Sequence, residues 1–132
     1  MLQTHHHFGK FMLQSFALVF LGGGAGSACR YALLLAMRPW QEKFPWATFA
    51  ANAAACLILG LLLGWQAQGL LPDQRRLLLA TGFCGGLSTY STFTAETWGL
   101  WQGGNPTAAL ANVFAQMVVC IACLLAGLRM AA

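Results

Sequence analysis

Four stretches of this chain, at about 11–37, 46–67, 74–101 and 106–129, are each long and apolar enough to cross a lipid bilayer as a helix. Each crossing of a hydrocarbon core takes about 20 apolar residues. Inside that core the backbone has no water to bond, so a crossing segment must be helical or find partners within the protein. Together the four runs use nearly all of the sequence, and this dictates the expected fold class: an all-α integral membrane protein, one four-span domain over residues 1–132. Composition agrees, because only 8% of residues are charged and 58% are hydrophobic, against about 25% charged in soluble domains.

Several function classes fall away on the same grounds. A secretory leader would be followed by a soluble mature chain, whereas the first apolar run here is followed by more membrane. The five cysteines, Cys29, Cys56, Cys84, Cys120 and Cys123, all lie in or near spans, where a disulfide framework has no loops to staple. The net charge of +4 comes from scattered Lys and Arg, without the dense basic cluster that a nucleic-acid groove requires. No nucleic-acid partner is expected.

The first span holds "GGGAG", with Gly22 and Gly26 four apart, and the second repeats that spacing at Gly60 and Gly64. Small residues at this interval let two membrane helices approach closely. The loop "MRPWQEKFPW" carries two prolines and mixed charge, which stop a helix. Trp40, Trp46, Trp65, Trp98 and Trp101 all fall near proposed span ends, as in an interfacial aromatic belt. With the N-terminus inside, Lys10, Arg75, Arg76 and Arg129 are cytoplasmic against Arg38 and Lys43 outside. That bias orients the chain only mildly, so two copies inserted in opposite senses can pair head to tail, making from two chains an inverted repeat.

The third span is too long to be one straight helix: residues 74–101 would run roughly 40 Å, beyond the hydrocarbon thickness. Its sequence "GFCGGLSTYSTF" supplies a place to break. Gly85 and Gly86 tolerate non-helical dihedrals, and Ser88 is placed to cap the second half. A break at that depth frees backbone polar groups, so it must be buried at an interface or beside a pore. In the alternative reading the glycines only permit close packing and the hydroxyls bond back one turn. Ser88, Thr89, Ser91 and Thr92 together, beside a double glycine, favour a hydrophilic path.

Around this segment stand the other candidates. Tyr90 and Phe93, three apart, share a helix face, and ring edges carry positive partial charge that can meet a small anion. Asn52 is a mid-span amide, either interhelical glue or a donor to an ion, with Thr48 one turn earlier. Arg30 can snorkel to an interface or draw anions into a vestibule. Glu96 is the only acid in any span. "CIAC", Cys120 to Cys123, has redox spacing but lies in a lipid-embedded helix. The three N-terminal histidines can bind metal but carry no part of this reading.

With these residues in view, the chain resembles the fluoride channels known as Fluc or CrcB. It carries "GGGAGSACRY", "ATFAANAAAC" and "GFCGGLSTYSTFTAE" where that family has a glycine-rich arginine motif, an asparagine motif and "GFxGGxTTFSTFxxE", in the same order and spacing. The likeness runs from about residue 16 to 127. It implies a dual-topology homodimer of two inverted four-helix chains, with two fluoride pores and a sodium ion on the dyad. The sodium is held in that family by backbone carbonyls at the positions that are Gly85 and Ser88 here. The family's pore phenylalanines correspond to Tyr90 and Phe93, its pore asparagine to Asn52, and its first-motif arginine to Arg30. Polar residues four apart in the last span correspond to Asn112, Gln116 and Cys120.

The departures are Tyr90 for the first phenylalanine, Ala47 for a glycine and Cys56 for a later one. The resemblance implies a passive, fluoride-selective channel in a bacterial inner membrane, not an enzyme, with Thr48, Asn52, Tyr90, Ser91, Thr92 and Phe93 along the pore. No "GxxxxGK[ST]" is present for ATP. A proton-coupled small multidrug transporter would need an acid in span one, where Arg30 is the only charge. A non-transporting redox subunit using "CIAC" would leave Asn52 and the break without purpose.

Overall fold

The computed structural model describes residues 2–41 and 44–132, with side chains from Phe11 onward. The side chains of the histidine run, Lys10 and Lys43 lie outside the described residues. Helix α1 spans Leu2–Ala36 and carries a membrane-crossing stretch at Phe11–Ala36. After a short turn at Arg38–Trp40, α2 spans Trp46–Ala67. Helix α3 covers 73–87, opening with Asp73–Arg76, widening into π-helix over Leu77–Cys84 and closing at Gly85–Leu87. Helices α4, Tyr90–Gln102, and α5, Pro106–Met130, complete the chain. Among the described residues, three helices are individually long and apolar enough to cross a membrane. The remaining crossing is shared between α3 and α4, because the break divides it into two half-length helices.

The break differs from the sequence expectation in its place. Gly85 has helical dihedrals, φ −64° and ψ −36°, and Gly86 also lies within the closing turn of α3. The chain leaves the helix at Ser88, φ −74° and ψ 155°, and stays extended at Thr89, φ −153° and ψ 118°. The cap also moves: Thr89, not Ser88, accepts from the Thr92 amide at 3.3 Å, while the Ser88 hydroxyl donates back to the Cys84 carbonyl at 2.9 Å. The glycine pair is occupied otherwise. A Cβ on Gly86 would meet the carbonyl oxygen of Gly23, whereas one on Gly85 would meet nothing within 4 Å.

Tight packing runs between alternate spans. A Cβ at Gly22 or Gly26 would collide with the backbone oxygens of Leu78 and Phe83, so α1 and α3 lie backbone to backbone. Gly60 likewise faces the Leu124 carbonyl, and Gly127 that of Leu57, seating α2 against α5. Both expected glycine pairs therefore serve close approach. Helices of each pair run parallel, as an up-down-up-down order of crossings requires. Ala51, Ala55, Leu62, Cys84 and Leu87 form the buried apolar centre. The five tryptophans are all exposed near helix ends or in loops, where indoles suit a membrane interface.

Candidate functional site

An extended segment within a membrane-spanning element must satisfy its amides and carbonyls from neighbouring helices. At Thr89 that task falls to Asn52 of α2. The Thr89 amide donates to Asn52 Oδ1 at 2.7 Å, and Asn52 Nδ2 donates to the Thr89 carbonyl at 3.3 Å. A backbone N–H can only donate, so it fixes which way the Asn52 amide points. Its Nδ2 then also donates to Gln116 Oε1 of α5 at 2.8 Å. This in turn fixes the Gln116 amide, whose Nε2 is left buried with no protein acceptor. The result is a relay from the break to a free donor, and Asn52 holds its middle.

Gln116 is only 5% exposed, yet it lines a pocket of about 390 Å³ with Asn52, Ser88, Thr89, Tyr90 and Phe93. Tyr90 and Phe93 also line a neighbouring pocket of about 420 Å³ toward Trp98 and Trp101. Their rings lie 5.7 Å apart at 50°, within the centroid distance over which aromatic pairs interact. Tyr90 is 80% exposed. These rings share a face, as their spacing predicts.

On the other side of α4, Thr92 joins Ser27, Arg30, Tyr31 and Thr48 around a pocket of about 270 Å³. The Thr48 hydroxyl donates to Glu96 Oε1 at 2.8 Å, and Glu96 Oε2 is buried without a partner. Glu96 also borders the largest of these pockets, about 610 Å³, with Gln41, Pro45 and Asn105. Arg30 neither reaches outward nor stands free: its Nε donates to the Gly86 carbonyl at 3.1 Å. A cation there meets the negative end of α3 and takes a carbonyl freed by the break. Ser27 shares that carbonyl at 3.4 Å.

The hydroxyl run does two jobs. Thr89 Oγ1 donates to Thr92 Oγ1 at 3.0 Å and lies 3.3 Å from Ser91 Oγ, so these three knit the start of α4 together. Thr94 and Thr97 bond back to carbonyls one turn earlier. Asn112, fully buried, donates to the Thr97 hydroxyl at 2.8 Å and leaves Oδ1 unpartnered. Sequence reasoning singled out neither Thr97 nor Ser27, and gave Thr89 no role as a cap. Only the register between spans brings Thr97 and Ser27 to their partners. The Thr89 cap had a local signal, a threonine three residues before Thr92.

Gly85 and Ser88 keep a different kind of resource. The amide four residues after Gly85, that of Thr89, is turned to Asn52, and the amide four after Ser88, that of Thr92, goes to the Thr89 hydroxyl. Neither carbonyl receives its helical donor. Hard, partially negative oxygens in that condition suit a small cation.

Residues 17–128 match a family model described as "CrcB-like protein, Camphor Resistance (CrcB)". A protein of Pyrococcus furiosus named fluoride-specific ion channel FluC is 44% identical over 110 residues, covering 83% of this chain and 89% of that protein. Proteins of the same name from Enterobacter sp. strain 638 and Escherichia coli O17:K52:H18 are each 41% identical over 108 residues, covering 81% of this chain and 85% of theirs. A match over nearly all of the membrane-spanning region places the chain in the CrcB family.

Proposed function

We propose that this chain is a fluoride-specific channel through which the anion leaves the cytoplasm passively. The observation that carries the reading is the relay ending at Gln116 Nε2, a buried donor without a protein acceptor beside the Tyr90–Phe93 pair. Small, strongly hydrated fluoride gives up its water only to N–H and O–H donors and positive ring edges, and a narrow bore excludes larger anions. Asn52 has both amide hydrogens committed to Thr89 and Gln116, so in this reading it orients the donor. Thr48, Ser91 and Thr92 provide hydroxyls along the route, and Glu96 sits beyond Thr48 at the wider pocket.

The working unit in this reading is a homodimer of two inverted chains in a bacterial inner membrane. Its support is the mild charge bias of the loops and the exposed, unopposed Gly85. A sodium ion fits between such chains, held by the carbonyl oxygens of Gly85 and Ser88 from each. Its positive charge offsets the half-helix carboxyl ends that meet there.

Vesicles loaded with potassium fluoride and containing the purified protein test the function. Efflux that stalls until valinomycin relieves the voltage, and that chloride does not reproduce, is the expected result. Electroneutral drug–proton exchange, or no fluoride efflux from a well-folded preparation, overturns it.

A further inference from the structure

Five cysteines is a large number for so short a chain, and two of them stand in the candidate pathway. Helices α2 and α5 pack in parallel with a register of 64: Asn52 bonds Gln116, and Gly60 abuts Leu124. Cys56 and Cys120 occupy the layer between those two contacts, one turn beyond the amide pair. Both line the pocket that holds Gln116, Tyr90 and Phe93, and both are free thiols of intermediate burial. The proposed function uses neither.

We infer that Cys56 and Cys120 form a two-coordinate site for a soft divalent cation, for which Hg(II) is the probe, and that filling it closes the pathway. Thiolates are the ligands that soft metals prefer. Binding converts two S–H groups and one Hg(II) into two S–Hg bonds and releases two protons to water. The bis-thiolate carries no net charge, which suits a site inside the membrane, where a residual charge is expensive. Univalent silver or copper would leave one negative charge there. Zinc would need about four ligands, and no cluster of three or more His, Cys, Asp or Glu exists among the described residues. Cys84 is buried on α3, and neither it nor Cys123 lines the pocket.

Metal binding itself does not depend on the channel reading; only the block does. The full-length protein in lipid vesicles is given one equivalent of Hg(II), challenged with glutathione, and its retained mercury counted by intact mass. Two thiols acting together should hold the ion on the order of 100-fold more firmly against the monothiol than one does. Retention should survive Cys29→Ser, Cys84→Ser and Cys123→Ser and be lost in Cys56→Ser and Cys120→Ser. Cys56→Ala and Cys120→Ala, which place no new hydroxyl in the pocket, keep the comparison clear of a misfolded serine variant. Firm retention in either Cys56 or Cys120 variant overturns the site. Fluoride efflux is then measured on the same vesicles, where one equivalent should abolish flux in the native chain and spare the two variants. Loss of retention without protection of flux keeps the metal site and overturns its place in the pathway. Absence of fluoride flux before any metal is added refutes the channel reading and leaves the mercury count standing.

Discussion

Replacing Asn52 by leucine should loosen the break in the third crossing. Leucine shares the γ-branched shape of asparagine but is bulkier and offers no polar atom, so three hydrogen bonds are lost at once: two with the Thr89 backbone and one with Gln116. Interhelical hydrogen bonds in membranes average roughly 0.6 kcal/mol each and reach about 1.7. Three therefore sum to about 2 kcal/mol, and to about 5 kcal/mol at the upper limit, where a bare Thr89 amide in a dry site belongs. At 1.4 kcal/mol per tenfold, the lower figure is already about a 30-fold shift toward the opened segment. Hydrogen exchange with residue-level fragmentation, on protein in lipid nanodiscs, reads this directly at the Thr89 amide. Asn112→Leu is the control, because it removes a buried amide that bonds Thr97 and leaves the Thr89 partners intact. Thr89 should exchange about 30-fold faster in the Asn52 variant and at the native rate in the control. Unchanged exchange at Thr89 in Asn52→Leu would refute the brace and return Asn52 to the status of a free ligand.

Asn52→Asp keeps the acceptor for the Thr89 amide but sets a second oxygen against Gln116 Oε1; fluoride efflux should vanish while the protein still assembles, and native flux in vesicles would sink the relay. Tyr90→Phe should conduct and Tyr90→Ile should not, because only the ring offers a positive edge; equal efflux from the two would make the ring mere packing. Gly86→Val should prevent α1 from seating on α3 and lower the yield of folded protein, whereas Gly85→Val meets nothing in its own chain and should affect only association between chains. Size-exclusion profiles separate these, and a folded Gly86→Val protein would contradict the backbone contact with Gly23. Arg30→Gln should lower the melting temperature of the purified protein, because the end of α3 loses a charged partner worth about 0.3–2 kcal/mol; an unaltered melt would remove Arg30 from that role.

Span limits were legible because hydropathy and length are properties of consecutive residues: α2 starts and ends where the apolar run does, and α5 extends one residue past it. That the third crossing must break was legible from its length. Where it breaks was not, because glycine's freedom is only permission. Here Gly86 is needed helical against Gly23, and the break settles where Asn52 can satisfy an extended threonine. The Tyr90–Phe93 face followed from local spacing. The pairs Thr48–Glu96, Thr97–Asn112 and Arg30–Gly86 did not, since each depends on how far one helix slides along another.

Helices consecutive in the chain, α1 and α2, share far less surface than α1 shares with α3 or α2 with α5. A nascent chain therefore enters the bilayer as a first hairpin whose two arms hold each other weakly, with the glycine faces of both still bare. The first tight pair closes only when the third span arrives, and the second only when the fourth does. Until then, little beyond the few charges at its ends commits the hairpin to one side of the membrane.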